Sequence, residues 1–340
     1  MELTTVADDE AVVHDGMDVR VYDGLEPDTA YEYDGFAFRT LGRPGGELLC
    51  RFATVNDVHF GEVECGIIEG SDIGPTFRTE PGDDPYPEVM NRGAIDEMAQ
   101  LDLAAVLVKG DLTSNGTVEE YDRFRSFYEP AFGDRLHVVR GNHESYNHAT
   151  YASDVPVTIE LPGVTIIIID TSIDGSATGR VDDASRTYVA DVASSTRADD
   201  RARPVLVFGH HHIWNPESNE RPDHYFGVHP DDSEAFVELV GEHPNVRGYF
   251  AGHTHRNRVR RFSVSRDVPW VEVASVKEFP GVWAEYRVFD GGILQIMRRI
   301  SSPECLTWSE KTRQMYAGLY FEYSFGDLGD RCFAMAGPPA

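Results

Sequence analysis

The sequence predicts an α/β fold, and three observations carry that expectation. Short apolar runs of strand character recur along the chain, helical patterns separate several of them, and most end on a glycine followed by a polar residue. Leu136-His137-Val138-Val139-Arg140 leads into Gly141-Asn142-His143-Glu144. Val106 to Gly110 ends on Asp111, Val205 to Gly209 on His210, and Gly248 to Gly252 on His253. A fifth run, Phe52-Ala53-Thr54-Val55, delivers Asp57 and His59 without the glycine. Glycine lets the backbone turn sharply where a strand ends. Parallel strands bring their carboxyl ends to one edge, where open α/β sheets bind ligands. Five strand ends then gather Asp, Asn and His in one place, and such a set is a metal site.

With 340 residues the chain can bury one large core or two smaller ones. Its formal charge is −28, and only three of thirty basic residues are lysines, Lys109, Lys277 and Lys311. A surface of that sign repels nucleic acid and anionic lipid, so neither a nucleic-acid partner nor a membrane partner is expected. Met1 to Glu10 is acidic and lacks the apolar centre of a signal peptide. No apolar run approaches the ~20 residues that cross a bilayer, and a soluble, cytoplasmic chain is expected. Cys50, Cys65, Cys305 and Cys332 show no Cys-x-x-Cys spacing; Cys50 reads as a small buried residue, and a Cys305–Cys332 pairing is left open.

Residues 1–48 are expected to form a small β module. Val19 to Tyr22 alternates, a turn follows at Leu25-Glu26-Pro27-Asp28, and Thr29 to Glu32 and Phe36 to Leu41 resume the strand pattern. The module resembles the closing half of a fibronectin type III domain, and a piece that short must pack on something else. Arg43-Pro44-Gly45-Gly46 is the expected linker to the main domain, 49–300. Gly61 to Pro85 is rich in Gly, Pro and Asp and reads as a long loop, which inside a domain is usually functional or mobile. Helices are expected from Pro85 to Leu101, after the capping-box sequence Thr117-Val118-Glu119-Glu120, from Asp183 to Ser194, and from Ser233. Val164 to Ile169 is the most strand-like run, ending on Asp170. Beyond Arg258 strands and turns take over, at Trp270 to Ala274, Glu285 to Phe289 and Ile293 to Met297. Residues 301–340 are a C-terminal extension to which the sequence assigns no chemistry.

The donors define the chemistry. Asp57 and Asp111 offer hard anionic oxygens, Asn142 a neutral carbonyl oxygen, and His59, His210, His253 and His255 imidazole nitrogens. This set exceeds one four-coordinate site, so two metals sharing a carboxylate fit better. Without a thiolate in the set, Mn, Fe and Zn all stay open. A lone Asp-x-His or Gly-Asp says little. The signal is the fixed order of five motifs, each at a strand end.

In the order Asp-x-His, Gly-Asp, Gly-Asn-His-Glu, His, Gly-His-x-His, the motifs resemble the calcineurin-like metallophosphoesterase superfamily, over residues 52 to 300. The resemblance implies a four-layer α/β/β/α sandwich of two mixed sheets, two divalent or trivalent metal ions, and a hydroxide shared by them that attacks phosphorus. It implies Asp57, His59 and His255 on one ion, Asn142, His210 and His253 on the other, and Asp111 bridging. Within His210-His211-His212 it selects His210, the residue that directly follows its glycine. His211 is then a supporting or solvent residue, and His212 lines the pocket. His143, beside Asn142 and not a ligand in the family, is implied as the acid that protonates the leaving group, with a supporting hydrogen bond as the alternative.

One departure narrows the branch. Purple acid phosphatases carry Tyr three residues after the bridging Asp and Gly in the first motif; here Ser114 and His59 stand there. The chain is therefore expected nearer the cyclic-nucleotide and glycerophosphodiester phosphodiesterases, cleaving a small phosphodiester, with phosphomonoesterase action as the alternative. A nuclease is disfavoured by charge, and a non-catalytic scaffold by the full set of donors with His143. The Gly61–Pro85 loop, His148, His212, Trp214 and Asn215 are expected to shape the pocket.

Overall fold

Along the strand Val164–Ile168, Ile166 and Ile168 turn toward a second sheet while Ile167 turns toward helices, and all three are buried. Both faces of this strand are covered, so it is apolar throughout instead of alternating. Phe52 and Ala53, and Leu107 and Val108, divide in the same way. The result, in a computed structural model describing residues 1–67, 70–198 and 203–337, is two mixed six-stranded sheets face to face with helices outside both.

The first sheet runs Leu136–Val139, Ala105–Lys109, Leu48–Val55, Val282–Phe289, Gly292–Arg299, Cys332–Ala336. Its first three strands are parallel and the rest antiparallel. The second runs Val157–Leu161, Val164–Ile168, Val205–Phe208, Val246–Ala251, Pro269–Glu272, Arg258–Arg261, with the middle four parallel. The five donor-bearing strands are thus shared three and two between the sheets, and the site lies where both sets of carboxyl ends meet. Aromatic rings fill the space between: Phe52 stacks on Tyr286 at 4.5 Å and meets Phe208 edge-on at 6.0 Å. Lys109 ties the sheets together near the site, its buried Nζ donating to the Ala251 carbonyl at 2.9 Å.

Tyr86–Met98 and Val118–Phe132 cover the first sheet, and Asp183–Ala198 and Pro230–Glu242 the second. Thr117 caps its helix by accepting from the Glu120 amide at 3.2 Å. Glu120 does not close the box, because its carboxylate is taken by the backbone and side chain of Asn115 at 2.8 and 2.7 Å. Between residues 61 and 85 the described backbone forms only the short strands Glu64–Cys65 and Phe77–Arg78; residues 68 and 69 lie outside the described residues. No described helix is long and apolar enough to cross a membrane.

At the amino terminus a three-stranded antiparallel sheet, Glu2–Val6, Ala11–Asp15 and Asp18–Tyr22, is followed by the hairpin Ala30–Tyr33 and Phe36–Arg39. It is strapped to the 282–299 hairpin by ions: Arg287 donates to Asp8 at 2.6 Å and Asp9 at 2.7 Å, and Arg298 to Glu10. The four cysteines are unpaired, with Cys305 on the helix Pro303–Thr312 and Cys332 opening the last strand of the first sheet.

The tail is packed in as deeply as the rest. Trp308 stacks on Tyr86 at 4.2 Å, and its indole N–H donates to the Lys277 carbonyl at 2.9 Å. Trp308→Ala is expected to cost about 3–5 kcal/mol, as removal of a large packed aromatic does. Urea unfolding measures this, and a loss under about 1 kcal/mol, the scale of a mild surface change, would mean that the tail is only loosely attached.

Candidate metal centre

The backbone is bent hard where the donors sit. Asp57, His59, Asp111, His253 and His255 all have φ between 48° and 67°, the left-handed region that side chains with a Cβ rarely occupy. Such conformations cost of order 1–3 kcal/mol each and cluster at functional sites. The glycines before the donors answer a second need. Gly110 has φ 84°, but Gly141 sits at −114°, and there the issue is room: a Cβ on Gly141 would stand 2.2 Å from Asp111 Oδ1. A Cβ on Gly252 would come within 2.7 Å of Asp57 Oδ2. Turning freedom was the expected reason for all of them; close approach is the reason at these two.

Glu144 of Gly141-Asn142-His143-Glu144 pins the loops together. Its carboxylate accepts from the Gly141 amide at 2.7 Å and from the amide and hydroxyl of Thr113 at 2.8 and 2.7 Å. The segment after Asp111 is thereby fixed to the segment carrying Asn142 and His143.

At the centre, Asp111 Oδ2 lies 3.5 Å from His59 Nε2 and 3.4 Å from His210 Nε2. On one side His255 Nε2 is 3.4 Å from Asp57 Oδ1. On the other, Asn142 Oδ1 is 2.9 Å from His210 Nε2. Two groups of donor atoms converge, Asp57–His59–Asp111–His255 and His210–His211–His253. His59 Nε2 and His253 Nε2 are buried without a hydrogen-bond partner. Nitrogens of that kind are rare unless something else engages them, and the donor set is one that Mn, Fe or Zn accepts. The residues fit a pair of metal ions.

Electrostatics point the same way. Burial alone would raise the carboxyl of Asp57, yet His255 and His210 bring it to about 2. Asp111, equally buried, is held well below its ordinary value by His210 and His143. Reciprocally, burial opposes a proton on His210, but Asp111 and Asp57 push it up to about 9; His255 rises to about 10 through Asp57 and Glu278. His253, buried beside His211 and His210, falls well below its ordinary value and stays neutral. The two carboxylates therefore demand positive charge at this point, which protons or cations can supply.

A second tier of charge, unseen in the sequence, backs one side of the site. His59 Nδ1 lies 3.0 Å from Glu62, and His255 Nδ1 lies 2.7 Å from Glu278. Lys277 bridges these glutamates at 2.7 and 3.3 Å, and the Tyr320 hydroxyl donates to Glu278. A carboxylate behind a histidine fixes its tautomer and makes it a better donor. On the other side the support is a backbone carbonyl: His210 Nδ1 donates to Lys109 O at 2.8 Å.

The structure brings all the sequence-selected donors and His143 around one cavity. His59, Asp111, Asn142, His143, His253 and His255 line it, while Asp57 and His210 lie buried beneath. His211 does not face solvent; it is fully buried, hydrogen-bonded to Thr171 at 2.9 Å, with its ring 4.5 Å from that of His253. His212 does not line the cavity, because Tyr225 draws its Nε2 away at 2.8 Å. Trp214 is buried against its own neighbours, and neither it nor His148, Asn215 or the described part of the Gly61–Pro85 loop reaches the cavity wall. The wall comes instead from Tyr146, Phe226 and the tail residues Tyr316 to Tyr323.

The sequence profile of the calcineurin-like phosphoesterases matches residues 50–257, more than half of the chain and all of the donors. The chain belongs to this family. Among characterised relatives, 3′,5′-cyclic adenosine monophosphate phosphodiesterase CpdA of Pseudomonas aeruginosa is 28% identical over 166 residues, covering 47% of this chain and 56% of that protein. The chain thus spans about half the length of that relative. In fold it is similar to a dimetal phosphatase from Danio rerio, with a TM-score of 0.58, 14% identity, and coverage of 75% of this chain and 98% of that one. A purple acid phosphatase from yellow lupin seeds gives a TM-score of 0.49 at 15% identity, covering 79% of this chain and 54% of that one.

Metal binding has a thermal signature. Chelator-treated protein given Mn²⁺ or Zn²⁺ is expected to melt higher, since a ligand at a hundred times its Kd adds about 2.7 kcal/mol to the folded state. Asp111→Asn should lose most of that gain, because Asp111 Oδ2 lies within 3.5 Å of an imidazole of each group of donors. A variant stabilised by metal as fully as the wild type would show that Asp111 is not shared.

Proposed function

We propose that this chain hydrolyses a small phosphodiester at a centre of two metal ions, one held by Asp57, His59, Asp111 and His255 and the other by Asp111, Asn142, His210 and His253. The observation that carries this reading is the place of Asp111 Oδ2, near 3.4–3.5 Å from an imidazole of each group. Two cations so held supply charge neutralisation for a phosphoryl group and a water that ionises near neutral pH.

The chain's own residues supply the rest. Glu62, Lys277 and Glu278 hold His59 and His255 in orientation, and Glu144 holds Asn142 and His143 against Asp111 through Thr113. His143 donates from Nδ1 to the Ser114 carbonyl at 2.7 Å, which leaves Nε2 as the nitrogen able to deliver a proton. Burial lowers the basicity of this imidazole and the neighbouring Asp111 opposes the effect, so its imidazolium gives up a proton more readily than free histidine and is the minor form near neutral pH. A departing alkoxide needs such a donor. The preference for diesters is supported by His59 in the first motif, by Ser114 where a metal-binding Tyr would stand, and by the likeness to a relative named as a cyclic-nucleotide phosphodiesterase.

One substrate panel tests both reaction and roles: alkyl and nitrophenyl diesters with their monoesters, assayed with Mn, Fe and Zn on wild type and His143→Ala. Diesters are expected to be cleaved faster than monoesters. The variant should lose ~10²–10⁴-fold on the alkyl diester and far less on the nitrophenyl diester, whose leaving group needs no proton. Cleavage of monoesters alone would make the enzyme a phosphatase. Equal losses on both diesters would assign His143 to charge stabilisation instead.

A further inference from the structure

Four of the large apolar side chains left exposed, Tyr146, Phe226, Leu319 and Tyr323, ring one cavity of about 560 Å³ whose floor is the Asp/His cluster. Tyr316 and Tyr320 complete the wall, so the tail segment 316–323 supplies most of it. Two of the hydroxyls are already engaged, Tyr320 with Glu278 and Tyr323 with the Thr254 carbonyl at 2.9 Å, which leaves the rings as what those residues offer. Phe226 lies 3.9 Å from the His253 ring, nearly parallel to it, and is still 55% exposed. Apolar surface held open beside a polar cluster is the usual form of a small-molecule site.

The charge of this wall is as telling as its shape. Among the described lining residues there is no Lys or Arg, while Asp111 and Glu278 are both present. Two cations close behind are already paired: Lys277 with Glu62 and Glu278, and Arg256, 5.3 Å above the Tyr323 ring, with Glu272 at 2.8 Å. A single phosphoryl group can be matched by the cluster on the floor. A second anionic group on the substrate would meet rings and carboxylates on a chain of net charge −28.

Resting on the hydrolase reading above, we propose that the substrate carries one phosphoryl group and a planar, uncharged organic substituent that lies against Phe226 and the Tyr316–Tyr323 wall, and that esters bearing further anionic groups are rejected. Flat groups gain from offset stacking on aromatic rings. The bare wall acts as the repulsive half of the selection.

Three diesters sharing 4-nitrophenolate as leaving group test this on the metal-loaded protein, with methyl, 2-naphthyl or 2-phosphooxyethyl as the second ester. The naphthyl ester is expected to have a KM about tenfold below the methyl ester, the equivalent of one good ring contact. The phosphooxyethyl ester should fall at least about tenfold below the methyl ester in kcat/KM. Phe226→Ala should raise the naphthyl KM more than the methyl KM. Because Phe226 rests on His253, Leu319→Ala is the companion variant: at 62% exposure its loss leaves the fold intact, and it should act in the same direction. Methyl and naphthyl esters of equal KM, or a phosphooxyethyl ester cleaved as well as either, would overturn the inference and leave the hydrolase reading standing. Failure to cleave any of the three would remove both.

Discussion

Asp57 and Asp111 are carboxylates buried to 0% and 2% exposure where the ends of two sheets meet, and both stay ionised. A buried ion costs several kcal/mol unless opposite charge and hydrogen bonds answer it. The architecture around the centre answers that demand. His253 and His143 donate backbone amides to the two carboxylates, at 3.0 Å in each case, and the imidazoles of His59, His210 and His255 converge on them. The strained turns at Asp57, Asp111 and His255 bring the charges close, and bare glycines let the loops approach within contact. Stability surrendered there is recovered in the aromatic and aliphatic layers of the sandwich, which hold both sheets rigid behind the site.

The inequality of the two halves follows from the same demand. Around His59 and His255 the charge is layered, with Glu62 and Glu278 behind the imidazoles and Lys277 between them. Around His210 and His253 the supports are a backbone carbonyl and another imidazole. Carboxylates behind imidazoles make them stronger donors, so the first half presents the more negative and more basic cradle.

How much of this was legible in the sequence depended on distance along the chain. The apolar strand runs, and the polar residues that end them, are local signals. They revealed the layered α/β fold and the donor-bearing motifs because each strand carries its own donor. The support residues are different in kind. Lys277 meets Glu62 across 215 positions, and nothing local marks that lysine as buried or the two as partners. The tail was opaque for the same reason: its aromatics become a wall only after the last strand, Cys332–Ala336, joins the first sheet and sets the segment before it beside the cavity. His212 shows the converse error. Nearness to His210 in sequence made it a pocket residue, but the strand has ended at Phe208, its periodicity no longer sets the direction of the side chains, and His212 pairs with Tyr225 instead.

The central claim is that one carboxylate, Asp111, serves two cations. Anomalous diffraction from crystals grown with Mn²⁺ measures this most directly. The account predicts two peaks roughly 3.5 Å apart, one among Asp57, His59 and His255, the other among Asn142, His210 and His253, with Asp111 between them. A single peak at full occupancy, or two peaks of which only one adjoins Asp111, would contradict it.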